Sequence, residues 1–201
     1  LKENTTGTDN TAVGYFALRA NVGAVNNTAI GMEALKANTE GNNNTAVGYA
    51  ALKSQTTQQN NTAVGYKALE DNTHSNQTAV GYEALKNCTT GDGNTAIGAN
   101  CLTTCTTGRI NVMVGNDGFS ALTTGYFNTG IGYECGNQIT DGANNVCLGF
   151  YAGRSQGNLS NALYIARDSV GAGNAAVWIY GGTNGACYQG NNSSTWSTTS
   201  D

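Results

Sequence analysis

The phrase Asn-Thr-Ala-Val-Gly-Tyr at residues 44–49 returns at residues 61–66, and variants of it recur through most of the 201-residue chain. Its first position falls at Asn10, Asn27, Asn44, Asn61, Gln77, Asn94, Asn111, Asn128 and Asn145, in steps of 17 with a single step of 16. The glycine never fails: Gly14, Gly31, Gly48, Gly65, Gly81, Gly98, Gly115, Gly132 and Gly149 each follow a Val, Ile or Leu. A leucine stands four residues after the glycine at Leu18, Leu35, Leu52, Leu69, Leu85 and Leu102. Leu1 occupies the same place, so the chain starts in mid-repeat and the array is expected to begin upstream. A fixed period of this length means stacked, equivalent units, and it constrains the fold before any local propensity does.

Within the unit, β-branched residues alternate around a small one in Thr-x-Val, and Asn and Gly punctuate the rest. That pattern suits short strands better than helices. Strand-turn units at a fixed period stack into a parallel β-solenoid, each coil about 4.8 Å from the next, so ten coils make a rod on the order of 50 Å long. Val112 and Val146 replace the threonine. This near-isosteric exchange predicts a packed Thr/Val face, with Ala12, Ala29, Ala46, Ala63 and Ala79 turned the other way against something close. The asparagines are expected to form a column satisfied between coils, and the constant glycine to mark a bend or a close backbone approach. Because a one-residue slip reverses every side chain of a strand, the 16-residue step must shorten a turn. The repeat region is expected to span residues 1–160, and an irregular β region residues 161–201.

Composition narrows function more than fold. Charged residues make up 11% of the chain, proline is absent and glycine numbers 28, which would read as low complexity if the polar residues were scattered rather than periodic. Nine basic residues, thinly spread in a chain of net charge −4, present no patch for nucleic acid. No apolar run is long enough for a membrane-spanning helix, and neither a membrane span nor a signal peptide is expected within these residues. Two or three apolar side chains per coil form a thin core, so three rods side by side are expected to shield more than one alone. The small Ala face, with Tyr15, Tyr49, Tyr66 and Tyr82, would then meet neighbouring chains.

The repeated phrase resembles the Asn-Ser-Val-Ala-Ile-Gly units of YadA-type trimeric adhesin heads, and still more the related arrays of phage tail fibres and other virion appendages. The resemblance covers about residues 1–153, with a repeat longer than the usual adhesin unit. It implies a homotrimer of left-handed parallel β-rolls in a virion or other extracellular setting. The closing Ser-Ser-Thr-Trp-Ser-Thr-Thr-Ser-Asp of residues 193–201 resembles the junction before the intramolecular chaperone of endosialidases, tailspikes and fibres. By that resemblance Ser200 matches the autocleavage serine, while the lysine that would serve it lies outside this sequence.

Chemistry finds little footing. Of six cysteines, Cys88 and Cys105 both sit three residues after the repeat leucine, one repeat apart. Stacking would bring their Cα atoms to about 5 Å, a separation a disulfide tolerates. Cys101 and Cys135 stand two coils apart and, with Cys147, read as buried thiols. The single His74 lies in a variable turn, the carboxylates do not pair at an acid/base spacing, and no zinc or calcium motif is complete, so neither metal nor cofactor is expected. The sequons at Asn26, Asn43, Asn60 and Asn76 follow from the phrase itself.

The leading expectation is therefore a non-enzymatic, structural and adhesive fibre that partners with itself, with other virion proteins and with a host surface glycan or receptor. Trp178, Tyr180, Tyr188 and Trp196 are the candidate glycan contacts, with a place in the trimer core as the equal alternative. A bacterial adhesin head is the second class. An ice-binding solenoid ranks third, because threonine is expected to be packed rather than presented to water, and Val112 and Val146 interrupt its column.

Overall fold

The computed structural model describes residues 1–154, 158 and 160–166, and the backbone of two further strands, Val177–Gly181 and Cys187–Gln189. The chain is a parallel β-solenoid. Each coil contributes one three-residue strand: β1 Thr11–Val13, β2 Thr28–Ile30, β3 Thr45–Val47, β4 Thr62–Val64, β5 Thr78–Val80, β6 Thr95–Ile97, β7 Val112–Val114, β8 Thr129–Ile131 and β9 Val146–Leu148. Every strand pairs in parallel with the next, residue for residue, so Thr28 lies beside Thr45 and Ala29 beside Ala46. The parallel stack continues into β10, Leu163–Ala166, where Tyr164 pairs with Cys147. From there β11, Val177–Gly181, and β12, Cys187–Gln189, join antiparallel.

The 16-residue step is absorbed in a turn, as the register requires. Thr62 still faces Thr78 and Val64 still faces Val80. Asn44 Nδ2 donates to Gln58 O at 2.9 Å, and in the next coil Asn61 Nδ2 donates to His74 O at 2.9 Å. His74 thus stands where Gln58 stood, and the missing residue is the counterpart of Thr57.

A second inter-coil ladder closes the other side of the roll. Leu18 N donates to Ala34 O at 3.0 Å, Ala20 N to Lys36 O at 3.1 Å and Val22 N to Thr39 O at 3.1 Å. The core between the two walls is narrow. Leu18, Leu35, Leu52, Leu69, Leu85 and Leu102 are fully buried, and so are Ala29, Ala46, Ala63, Ala79 and Ala96 of the strands. This reverses the expected orientation. The alanines point into the core, and the Thr/Val positions face out. The reason is volume: a leucine fills the space between the walls, so the facing position must be small, and strict alternation then turns both β-branched neighbours outward.

Two glycine-rich coils prove the same rule by exchange. Met113 takes the alanine place and Phe119 the leucine place, both fully buried. A Cβ at Gly118 would lie 1.8 Å from Met113 Cε, one at Gly130 2.7 Å from Phe119 Cε2, and one at Gly136 2.3 Å from Phe119 Cε1. The large side chains of one coil occupy the volume its neighbours leave free.

The corner after each strand is tight. The constant glycine has φ between +117° and +153°, and a Cβ on Gly48 would sit 2.3 Å from Gly65 O. The corner then holds left-handed residues at two alternate positions. Glu33, Ala50, Lys67 and Glu83 have φ of 62°, 55°, 55° and 52°, and the buried leucines beyond them lie between 46° and 54°. Left-handed backbone costs a non-glycine residue roughly 1–2 kcal/mol, of the same order as the 1.5–3 kcal/mol from burying a leucine. The corner conformation is therefore held by stacking, not by local preference.

Candidate functional surfaces

The interior offers no reactive centre among the described residues. The repeat asparagines form a buried column in which each side-chain oxygen accepts from the backbone N–H one coil on. Asn27 Oδ1 accepts from Asn44 N at 2.9 Å and Asn44 Oδ1 from Asn61 N at 2.9 Å. Their amide nitrogens close the turns, Asn94 Nδ2 donating to Gly108 O at 2.8 Å and Asn128 Nδ2 to Gly142 O at 2.8 Å. The expected column is present and also pins each turn to the next coil.

A second buried amide column, Asn21, Asn38, Gln55 and Asn72, gives way to Cys88 and Cys105 and then to Leu122 and Ile139. Asn38 Nδ2 donates to Gly41 O at 2.9 Å, and Cys88 Sγ likewise donates to Gly91 O at 3.4 Å and Cys105 Sγ to Gly108 O at 3.5 Å. The two cysteines do stand on adjacent coils, but the disulfide that their spacing admits is not formed, and both are free thiols. They replace amides as donors, a role that a disulfide would remove. The influence of each sulfur on the other lowers the pKa of Cys88 and raises that of Cys105. Cys101, Cys135 and Cys147 are also free and buried, as expected. Burial pushes the Cys101 thiol up to about 11, so it is protonated and inert near neutrality.

Besides a ladder of sequon asparagines, the exterior carries three stripes along the rod. The first is the strand face, where outward threonines alternate with Val or Ile; Val13 is 58% exposed and Ile131 50%. The second is an aromatic ladder beside it. Tyr49, Tyr66 and Tyr82 stack with ring centroids 5.2 Å apart and planes within 12°, and Tyr133 stacks on Phe150 at 5.4 Å. Tyr15 is exposed as well. The exposure expected of the tyrosines is therefore observed, and Val or Ile, not Ala, accompanies them. The sequon asparagines form an exposed ladder of their own, Asn43 Nδ2 donating to Asn60 Oδ1 at 3.3 Å.

The third stripe was hidden by sequence distance. Lys2, Arg19, Lys36 and Lys53 are spaced by one repeat, so residues that look thinly spread occupy one column on four successive coils. Lys36 Nζ lies 2.7 Å and Lys53 Nζ 2.9 Å from the two oxygens of Glu33, and Arg19 Nε lies 3.9 Å from Glu3. These hydrogen bonds, first from Lys36 and then from Lys53, hold the Glu33 carboxyl below its ordinary range. An open groove of about 480 Å³ runs beside the column, lined by Glu3, Arg19, Ala20, Lys36, Ala37, Lys53 and Ser54. The period of 17 was the signal that could have found it.

The remaining candidate residues lie at the far end. Tyr180 of β11 is in backbone register with Tyr164 of β10 and Tyr188 of β12. The side chains of Tyr180 and Tyr188, together with Trp178, Trp196 and Ser200, lie outside the described residues. Among the described residues, no cluster of His, Cys, Asp and Glu could hold a metal ion, and no helix is long and apolar enough to cross a membrane. No protein-family profile matches this chain, and neither a curated protein nor a solved structure is significantly similar to it.

Proposed function

We propose that this chain is a segment of a homotrimeric virion fibre that carries an adhesive surface to a host cell. The observation that carries the reading is the outward Thr–Val/Ile face, a stripe with an apolar residue on every coil, flanked by an aromatic ladder that Ala99 and Asn116 interrupt. A surface of that kind marks an interaction face, and a second and third copy of the same rod match it in length and pitch. The likeness of the repeated phrase to adhesin-head and tail-fibre units supports the same reading, as does a β-solenoid built for reach. The first test is the native mass by light scattering, with and without reductant. Three chain masses in both conditions are expected, and a single-chain mass would remove the trimer.

One observation favours a second reading. Against ice binding stand the expectation of packed threonines and the interruption of their column by Val112 and Val146. Thr28, Thr45, Thr62, Thr78 and Thr95 instead lie in register on the outer face of consecutive strands, a regular array of hydroxyls and methyls able to order water. This reading requires the strand face to stay uncovered. A monomer that showed thermal hysteresis would establish it in place of the fibre; a trimer without hysteresis would eliminate it.

A further inference from the structure

We infer that the basic column on the first four coils is a binding site for a linear polysaccharide that carries an anionic group on successive sugars. The inference rests on the surface-fibre reading only for where such a polymer is met; its chemistry rests on the column.

Six of the nine basic residues of an acidic chain share this place in the repeat, and four of them, Lys2, Arg19, Lys36 and Lys53, stand on consecutive coils. The coil spacing of about 4.8 Å is close to the length of one sugar in an extended chain, so successive anionic sugars meet successive cations. Glu70 takes the next place in the column and ends the site after three steps, about 14 Å by the same spacing.

The carboxylates within the column position the cations without cancelling them. Glu33 is only 13% exposed in its side chain, whereas Lys36 and Lys53 keep 30% and 35%. One sunken carboxylate is thus shared by two ammonium groups. Each gives it one N–H and keeps two donors for a ligand. The Arg19–Glu3 pair is long and exposed, and pairs of that kind hold weakly. The Arg19 guanidinium lies 4.7 Å from the Phe16 ring centroid, which holds one face of the group and leaves its in-plane donors available.

The groove supplies what a sugar needs besides charge. Ala20 and Ala37 give it an apolar floor for C–H faces, and Ser54 adds a hydroxyl. It does not supply what single-stranded nucleic acid needs. Bases bind on free aromatic platforms, and Phe16, the ring beside the column, is flanked by Arg19 and by Lys36, whose Nζ lies 5.4 Å away.

The test is calorimetric titration of the full chain at low salt with a galacturonate hexamer, alongside a neutral maltohexaose and an oligothymidylate. The galacturonate is expected to bind, the maltohexaose to be inert, and the oligothymidylate to bind at least tenfold more weakly. The double substitution Lys36→Gln with Lys53→Gln should weaken galacturonate at least tenfold. Arginine at both positions should retain it, which separates a binding role from a folding role. Lys86→Gln, in the same column beyond Glu70, should change nothing. No binding of galacturonate, equal losses from Lys86→Gln, or oligothymidylate binding as tightly would each overturn the site. Light scattering of the same sample reports on the trimer independently, so a single-chain mass would end the fibre reading and leave the titration to stand by itself.

Discussion

At the scale of single residues, the corner after each strand shows how stacking overrides local preference. Ala50 is buried with φ of 55°, whereas its neighbour Ala51, equally buried, does not lie in that region. Ala50→Gly should leave stability unchanged or raise it by up to about 1 kcal/mol, because relief of left-handed strain offsets the entropy that glycine adds to the unfolded chain. Ala51→Gly should lower it by about 1 kcal/mol; denaturant midpoints of the two variants check the contrast. The thiols make a pH prediction. Cys101 is raised from 9.0 to about 11 by burial, so the neutral form is favoured in the folded state. Its contribution is complete below pH 9 and is lost as pH rises through 11. Melting temperatures should therefore fall across that window, and less steeply for Cys101→Ala measured against its own value at neutral pH.

At the scale of the coil, side-chain volume decides orientation, and it explains what could be read in advance. The solenoid, its 17-residue period and the asparagine column were legible because each residue recurs at one place in every unit. The direction of the strand was not. Valine is more apolar than alanine, so hydropathy alone turns Val47 inward; only the buried leucine opposite shows that the wall must be small. The basic column escaped for a related reason, since Arg19, Lys36 and Lys53 are distant in sequence and adjacent in space. The volume argument has its own test in the exchanged coils. Gly130→Ala should cost roughly 1–3 kcal/mol, because the added methyl meets Phe119 and Met113. Phe119→Leu in the same chain should recover part of that loss, and a double-mutant cycle of denaturant midpoints would show the coupling as non-additivity. Additive losses would mean that the two sites do not share one volume.

At the scale of the molecule, each coil touches its neighbours through the same two ladders, so stability is close to a sum of coils and interfaces. Excision of residues 44–60, one complete coil, should join Asn43 to Asn61 and restore the phrase. The far-UV circular dichroism per residue should be unchanged and the melting midpoint shifted by no more than a few degrees. Deletion of Ala46 alone should do far more damage. It leaves Thr45 or Val47 to fill an alanine place, and the midpoint should drop sharply or the protein fail to accumulate in soluble form. Equal tolerance of both deletions would show that register is not what holds the rod.

The glycine corner, where each carbonyl leaves no room for a Cβ on the coil before it, has a consequence beyond stability. It makes every unit interchangeable with its neighbours at the joint, so the rod is graduated like a ruler in marks of about 4.8 Å. Near-identical units allow whole marks to be added or removed. The length of the rod can therefore change by whole coils without a new contact having to form.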